Sequence, residues 1–166
     1  AQAENYTNTE IWQKNNFALG FDAVNEEFLS AKYDSLTITD TTDIDIEFSF
    51  YVSSLGNRLR LLHISDSKSV WFETPSDGST FLLRQSNKDG SIVSNATNLG
   101  LIVLGVNTFS IKNGIATFNG SVTDLIASNK TYTLDIQNPF LKFSKFFNSG
   151  NYSDSVLTKL SVQGET

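Results

Sequence analysis

The residues that could do chemistry are concentrated in one ten-residue stretch, 43–52. Successive side chains of an extended strand point to opposite faces, so one face would carry Asp43, Asp45, Glu47, Ser49 and Tyr51. Neighbours on that face lie about 7 Å apart, which puts three carboxylates and a phenol in a row. Such a row suits acid–base chemistry, metal binding or hydrogen bonds to a polar ligand.

The opposite face of the same stretch is apolar. It carries Ile44, Ile46, Phe48, Phe50 and Val52, which alternate with the polar row. Strict alternation of this kind is typical of a strand that packs one face against a hydrophobic core. We therefore expect the apolar face to be buried and the polar row to lie on the other side of the sheet.

The rest of the chain predicts strands and turns almost throughout. Short segments rich in Val, Ile, Thr, Phe and Tyr are bounded by turn residues, and no segment has a sustained 3.6-residue period. The clearest hairpin turns at Asn113-Gly114, because this pair suits a two-residue turn with positive φ at both positions. The predicted strands are residues 17–21, 26–31, 36–39, 43–53, 58–64, 69–73, 79–85, 106–112, 115–118, 121–126, 131–136, 140–147 and 157–163.

This pattern predicts an all-β protein. About thirteen short strands without internal repeats indicate an antiparallel two-sheet sandwich of the jelly-roll kind. At 166 residues the chain is long enough to bury a large core in one domain. We assign residues 17–166 to a single β-sandwich domain and residues 1–16 to an N-terminal extension or a first edge strand.

Composition argues against several classes of function. The chain has no cysteine, which removes disulfides, thiolate metal sites and thiol nucleophiles. The net charge is -6 and the sequence has no run of Lys and Arg, so we expect no nucleic-acid partner. No apolar run approaches the roughly 18 residues that cross a bilayer, so we expect no membrane insertion.

Several local patterns follow one another in a recognisable order. They are Phe21-Asp22-Ala23-Val24-Asn25, Ser35-Leu36-Thr37-Ile38, the strand at 45–52, the Asn113-Gly114 hairpin and a last strand at 157–163. This order resembles the concanavalin A-like superfamily, especially its laminin G-like branch. The resemblance implies a jelly-roll sandwich whose last strand lies beside the first. It implies less about function, because the superfamily includes lectins, carbohydrate-binding modules, glycosidases, adhesion domains and spacers.

The acidic strand also resembles a catalytic motif. Asp43-Ile44-Asp45-Ile46-Glu47-Phe48 is similar to the Glu-Ile-Asp-Ile-Glu-Phe strand of family 16 glycoside hydrolases, which share the concanavalin A-like sandwich. The resemblance places Asp43 at the nucleophile position and Glu47 at the acid/base position. A retaining mechanism needs carboxyl groups about 5–5.5 Å apart, and Asp43 is one methylene shorter than the Glu of that family. We therefore expect no catalysis and assign no catalytic residue.

A non-catalytic interpretation makes the polar row part of a binding surface. Sugar binding needs several hydrogen bonds and an aromatic ring in one concave site. The residues assigned to ligand binding are Asp45, Glu47, Tyr51, Arg60, Trp71 and Arg84. Tyr51 and Trp71 offer stacking surfaces, and Arg84 adds a cation from a third strand. In the structural alternative, Arg58 and Arg60 form cross-strand ion pairs with Asp45 and Glu47.

Metal binding has one candidate site. Asp22, Asn25 and Glu26 fall in a predicted turn and carry oxygen donors, which Ca²⁺ takes in sets of six to eight. Their spacing is not diagnostic, so calcium stays a candidate and the sequence indicates no other cofactor. His63 is the sole histidine, so two imidazoles cannot share a metal, and we expect it to be structural.

These features lead to three hypotheses. The first is a non-catalytic carbohydrate-binding or adhesion module, with a glycan or polysaccharide as partner. The second is a structural β-sandwich that acts as a spacer or an oligomer contact. The third is a glycosidase that resembles family 16.

The setting of the protein is also an expectation. Ser, Thr and Asn supply 53 of 166 residues, a composition usual in extracellular β-proteins and phage fibres. The chain has no methionine, so we expect a processed product or a domain of a longer protein. We expect that protein to be extracellular, on a cell surface or on a virion, for example a phage tail fibre, and to be multivalent or multidomain.

Overall fold

The structure is a computed structural model that describes residues 19–22, 24–33, 36–65, 68–87, 96–144 and 155–162. Within these ranges the chain forms one 3₁₀ turn, η1 (Thr41–Asp43), and fourteen strands. The strands are β1 (Leu19–Phe21), β2 (Leu29–Lys32), β3 (Thr37–Asp40), β4 (Ile46–Val52), β5 (Arg60–Ser65), β6 (Lys68–Glu73), β7 (Thr80–Asn87), β8 (Thr97–Leu101), β9 (Gly105–Lys112), β10 (Ile115–Phe118), β11 (Ser121–Asp124), β12 (Thr133–Gln137), β13 (Phe140–Phe143) and β14 (Ser155–Val162). The predicted extension at residues 1–16 lies outside the described residues.

The strands form two six-stranded sheets and one two-stranded ribbon. Sheet I has the order β1-β14-β4-β9-β10-β11, and sheet II has the order β2-β13-β5-β6-β7-β8. The ribbon pairs β3 with β12. All pairs are antiparallel, and the buried apolar residues of both sheets form one core. The predicted all-β, antiparallel two-sheet jelly-roll sandwich is confirmed, and β14 lies beside β1 as expected.

Strand β4 packs its apolar face into this core, as its alternation predicts. Ile44, Ile46, Phe48 and Phe50 are all at most 2% exposed. Phe48 is the centre of an aromatic cluster, with five rings whose centroids lie 5.5 to 6.3 Å from its own: Phe50, Phe72, Phe81, Phe109 and Phe143. Because this face is buried between the sheets, the polar side chains of β4 must point away from the core.

The predicted hairpin at Asn113-Gly114 is confirmed and aligns the next two strands of sheet I. Asn113 has φ 52° and Gly114 has φ 77°, as the turn requires. A Cβ on Gly114 would lie 2.9 Å from Cγ1 of Ile126, so a side chain does not fit there without a shift. The hairpin sets Thr117 of β10 opposite Ser110 of β9, which brings two hydroxyl groups onto one face.

Strand β4 begins later than predicted, and Asp43 does not belong to the polar row. Asp43 ends η1, where its Oδ2 accepts hydrogen bonds from the backbone N–H groups of Thr39 (2.9 Å) and Asp40 (3.0 Å). Asp40 Oδ1 accepts a hydrogen bond from the N–H of Thr42 (3.0 Å). These reciprocal bonds form a capping box. Its short acidic side chains bind backbone N–H groups and so compete with strand pairing for those groups. The row therefore starts at Asp45.

The predicted cross-strand pairs of Arg58 and Arg60 with Asp45 and Glu47 are wrong. Strand β4 lies in sheet I between β14 and β9, whereas β5 lies in sheet II. The two strands follow one another in sequence but belong to opposite layers of the sandwich. Arg60 instead lies opposite Glu73 of β6.

Candidate functional site

The polar row of β4 lies on the outer face of sheet I. Glu47 Oε2 lies 2.8 Å from Nζ of Lys159 on β14, and both side chains are 50% exposed. Asp45 Oδ2 lies 3.8 Å from Nζ of Lys112 on β9. The two carboxylates are thus each paired with a lysine from a different neighbouring strand. The outer face of sheet I therefore carries both negative and positive side chains, and water can reach their ion pairs.

A shallow depression of about 230 Å³ opens on this face. Its lining comes from β14, β4, β9 and β10, and six of its seven lining residues are polar. These six are Glu47, Ser49, Thr108, Ser110, Thr117 and Lys159, and the seventh is Phe109. The strand register explains the grouping, because Glu47 is opposite Ser110, which is in turn opposite Thr117. Four hydroxyl groups, one carboxylate and one ammonium therefore converge on one concave spot.

Tyr51 is the aromatic residue beside this depression. It lies two residues after Ser49 on the same face of β4, which places it about 7 Å farther along the strand. Its side chain is exposed, with 46% of the residue accessible. Its neighbour in register on β9 is Val106, which is also exposed. Tyr51 and the depression together give this face an aromatic surface next to a set of polar groups.

The outer face of sheet II carries a different cluster, centred on Glu73. This carboxylate is buried, with 3% of the residue exposed, and it binds two arginines. Its Oε1 lies 2.5 Å from Nη1 of Arg60, and its Oε2 lies 2.7 Å from Nε of Arg84. Burial lowers the pKa of Arg60 from its usual value, and the charge of Glu73 opposes that shift. A carboxylate this deep in the protein is stabilised only by such paired cations.

Trp71 and His63 lie next to this cluster and stack on each other. Their ring centroids are 5.5 Å apart with an interplanar angle of 12°, and the residues are 4% and 1% exposed. Trp71 is therefore a buried packing residue in this structure, not the exposed stacking surface that a sugar would need. Burial, reinforced by the charges of Arg60 and Lys142, holds the pKa of His63 well below its usual 6.5.

The lowered pKa of His63 predicts a dependence of stability on pH. Below pH 6.5 the unfolded chain binds a proton on His63 and the folded chain does not, so the free energy of unfolding falls as the pH is lowered. We expect a slope of up to about 1.4 kcal/mol per pH unit below pH 6.5. Urea denaturation between about pH 7.5 and pH 5 measures it. His63→Gln should flatten this slope, and an unchanged slope in that variant would contradict the assignment.

The six predicted ligand-binding residues do not form one site. Asp45, Glu47 and Tyr51 lie on the outer face of sheet I. The others lie on the outer face of sheet II, where Arg60 and Arg84 bind Glu73 and Trp71 stacks on His63. The hydrophobic core separates the two groups. One ligand cannot contact both faces, so each has to be considered as a separate surface.

The candidate calcium residues form a compact turn after β1. Asp22 Oδ1 accepts a hydrogen bond from the N–H of Val24, and its Oδ2 accepts one from Nδ2 of Asn25, both at 2.9 Å. Glu26 has a positive φ of 56° in the same turn. Asp22 thus uses both oxygens within the chain, as in a turn closed by its own side chain.

The described ranges contain no group of three or more His, Cys, Asp or Glu residues arranged to hold a metal ion. The same ranges contain no helix long and apolar enough to cross a bilayer. No cofactor site is therefore assigned within them.

Sequence reasoning does not identify several residues of the two clusters. On sheet I these are Lys159, Thr108, Ser110 and Thr117, and on sheet II it is Glu73. The alternation of buried and more exposed positions in β9 is the signal that places Thr108 and Ser110 on an outer face. That signal does not show which strands are neighbours in a sheet. Only the structure shows which of these residues lie together.

Comparison with known proteins gives distant structural likenesses. No protein-family model and no curated protein matches the chain. The chain is similar to a native heptameric SAP-like pentraxin from Limulus polyphemus at 12% identity and a TM-score of 0.43, over 79% of this chain and 67% of the pentraxin. It is also similar to an alginate lyase from Pseudomonas aeruginosa at 10% identity and a TM-score of 0.38, over 75% of this chain and 64% of the lyase. Likenesses this weak carry no argument about function.

Proposed function

We propose that this chain is a non-catalytic carbohydrate-binding module whose site is the outer face of sheet I. One observation carries the proposal: a depression with four hydroxyl groups and the Glu47–Lys159 ion pair lies beside the exposed ring of Tyr51. Binding sites for small ligands combine a concave surface with a few convergent polar groups. This face has both, together with an aromatic ring.

The polar groups of the depression match the chemistry of a sugar. A sugar hydroxyl both donates and accepts hydrogen bonds, as do Ser110 and Thr117. Glu47 accepts hydrogen bonds and Lys159 donates them, so the pair can hold two adjacent hydroxyls of one ring. Hydrogen bonds to charged groups contribute about 1.5–3 kcal/mol each. The ring of Tyr51 can stack on the apolar side of the next sugar along the chain.

The expected affinity is weak. The depression of about 230 Å³ is smaller than a typical ligand pocket of roughly 300–1,000 Å³, so it holds one ring while the rest of a glycan lies on the open sheet. We expect dissociation constants from about millimolar to about micromolar, or roughly 4–8 kcal/mol. Several copies presented together offset such weakness. We therefore propose a parent protein that is multivalent or multidomain. We propose that it is extracellular, on a cell surface or on a virion, for example as a phage tail fibre. We also propose that the domain belongs to the laminin G-like branch of the concanavalin A-like superfamily.

Two observations support the non-catalytic part of the proposal. Asp43, at the position of the glycosidase nucleophile, lies off strand β4, and its carboxylate caps η1. Glu47, at the acid/base position, is paired with Lys159, so its carboxylate has a cation as neighbour. A glycosidase needs two carboxyl groups that face the same sugar bond. A glycan incubated with the protein should therefore be recovered intact, and released reducing ends would favour the family 16-like alternative.

Binding is tested with an array of neutral glycans, followed by calorimetric titration of the best hit. Tyr51→Ala should weaken binding about three- to tenfold, the loss of one aromatic contact, and Glu47→Gln should weaken it about tenfold. Phe140→Ala is the matched control, because Phe140 is an equally exposed ring (45%) on the outer face of sheet II. Unchanged affinity in both sheet I variants would place the glycan elsewhere.

A structural role as spacer or oligomer contact is the second candidate, and one observation favours it. Four large apolar residues are 45% to 69% exposed around the connection from β8 to β9: Leu101, Val103, Leu104 and Val106. Several exposed apolar residues close together in the sequence are typical of an interaction surface. Self-association in sedimentation velocity without any hit on the glycan array would favour this candidate over carbohydrate binding.

A further inference from the structure

The polar depression on the outer face of sheet I is bordered at one end by apolar side chains. Ser49 and Thr108, which line the depression, are opposite one another in the register of β4 and β9. The next outward-facing pair along these strands is Tyr51 and Val106, which are also opposite one another. This second pair lies about 7 Å beyond the first. A polar pair and an apolar pair therefore follow each other along the same two strands.

Strand β14 extends this apolar border to three strands. Val156 is opposite Tyr51 in the register of β14 and β4. Neighbouring strands lie about 4.8 Å apart, so Val156, Tyr51 and Val106 span about 10 Å across the sheet. Tyr51 is 46% exposed, Val106 is 53% exposed and Val156 is half-buried. These three residues are called the apolar row.

Hydrogen bonds of a buried neighbour hold Val106 in place. Asn107 is fully buried, and its Nδ2 donates hydrogen bonds to the backbone carbonyls of Val103 (2.9 Å) and Gly105 (3.3 Å). Its Oδ1 accepts hydrogen bonds from the N–H of Val103 (3.0 Å) and from Nδ2 of Asn119 (2.9 Å). These bonds fix the chain on both sides of Val106. A ligand that contacts the apolar row therefore meets a surface that loses little conformational freedom on binding.

The apolar row changes which sugars fit beside the depression. A hydroxyl group that lies on the row loses its hydrogen bonds to water, and the valine side chains offer it none in return. A methyl group in the same position removes apolar surface from water, its own and that of the row. The row therefore favours a methyl group over a hydroxyl group at the end of the sugar ring that faces it.

From this geometry we infer that the apolar row selects sugars that carry a methyl group, either as 6-deoxy sugars or in an acetyl substituent. The inference rests on the proposed function, because the depression holds the sugar ring. The hydroxyl groups of that ring bind polar groups such as Glu47 and Lys159. Its methyl group packs against Val106 and the ring of Tyr51. The methyl groups of a 6-deoxy sugar and of an acetyl substituent share this chemistry.

Pairs of sugars that differ at one group test this selection. L-fucose and L-galactose, L-rhamnose and L-mannose, and D-fucose and D-galactose each differ by a hydroxyl group at C6. N-acetylglucosamine and glucose differ by an acetamido group at C2. Each sugar is titrated into the ¹⁵N-labelled protein, and the amide shifts of Ser49 and Val106 report binding. In at least one pair the methyl-bearing sugar should bind about three- to tenfold more tightly, and that pair identifies the source of the methyl group.

A Val106→Thr variant tests whether the apolar row causes the preference. Threonine keeps the branched shape of valine, which suits a strand, but has a hydroxyl in place of one methyl group. The ratio of the two affinities within the selective pair should fall to about twofold or less. Val122→Thr is the matched control. Val122 is 66% exposed and opposite Thr117 on the same face, but it lies on β11, three strands from β4, so the ratio should not change.

Several results would overturn the inference and leave the proposed function intact. One is that in every pair the hydroxyl-bearing sugar binds as tightly as its methyl-bearing partner. Others are an unchanged ratio in Val106→Thr, or an equal fall of the ratio in Val106→Thr and Val122→Thr. The inference alone also fails if glycans of the array bind to sheet I but none of these sugars does. If no glycan of the array binds to sheet I, the proposed function fails and the inference fails with it.

Discussion

A Glu73→Ala variant is expected to lose about 3 kcal/mol of unfolding free energy. Glu73 is 3% exposed and binds Arg60 and Arg84 at 2.5 and 2.7 Å. Removing the carboxylate leaves two guanidinium groups side by side in a partly buried place, which costs more than the loss of a surface ion pair. The expected loss is at the lower end for a broken buried pair because both arginines keep some contact with water.

The matched control for this variant is Glu47→Ala on the other sheet. Glu47 also lies on a strand and pairs with one cation, Lys159, but both side chains are 50% exposed. Exposed pairs contribute at most about 1 kcal/mol. Urea denaturation at neutral pH compares the two variants. Equal losses of unfolding free energy in the two variants would show that the Glu73 cluster stabilises the fold no more than an exposed ion pair does.

A Phe48→Ala variant is expected to lose about 3–5 kcal/mol. Phe48 is 1% exposed, and five aromatic rings of both sheets lie within 6.3 Å of its centroid. Truncation removes most of its buried apolar surface and leaves a cavity between sheets that cannot close fully. Since a domain has only about 5–15 kcal/mol of stability, this one change is a large fraction of the total.

Phe140→Ala is the control for the core variant. Phe140 is the same side chain on the surface of sheet II, 45% exposed, so its removal leaves no enclosed cavity. We expect a loss of about 1 kcal/mol or less. Guanidinium denaturation followed by fluorescence of the tryptophans measures both variants. A loss below about 1.5 kcal/mol for Phe48→Ala would show that the core can repack around the gap.

The parts of the fold that follow from local pattern were predictable. The alternation from Ile44 to Val52 identifies which side of β4 is buried, because the side-chain period of a strand is two. The Asn113-Gly114 pair identifies its hairpin, because few other residues accept positive φ at both positions. Strand β8 was not predicted, since its sequence Thr-Asn-Leu-Gly-Leu includes Asn and Gly, which strands disfavour.

The pairing of strands was not predictable in the same way. β4 and β5 are adjacent in the sequence, which suggested pairs between Arg60 and the acidic row, yet they belong to different sheets. Glu47 instead meets Lys159, which is 112 residues away in the sequence. Contacts of this kind depend on the order of strands in each sheet, and the alternation of a single strand contains no information about it. The sequence therefore predicts which types of residue form the candidate site but not which residues lie together in it.

Trp71 shows a second limit of sequence reasoning. Its position between Val70 and Phe72 leaves open in the sequence whether it packs in the core or is a sugar platform, because all three residues are apolar; in the structure Val70 and Phe72 belong to the core and Trp71 does not. Sequence alone does not show that an outward-facing side chain is buried all the same, as Trp71 is at 4% exposure. Tyr51, which alternates in the same manner on β4, is 46% exposed. Only the structure shows that the ring of Tyr51 is accessible to a ligand and that the ring of Trp71 is not.

Glycan binding on the outer face of sheet I is tested most directly by an NMR titration of the ¹⁵N-labelled protein with the neutral glycan that binds best on an array. We expect saturable shifts of backbone amides in β4, β9, β10 and β14, around Glu47, Ser110, Thr117 and Lys159. These shifts should saturate between about micromolar and about millimolar glycan. Shifts confined to sheet II, or no shift of any amide at millimolar concentration of every array glycan tested, would contradict a glycan site on the outer face of sheet I.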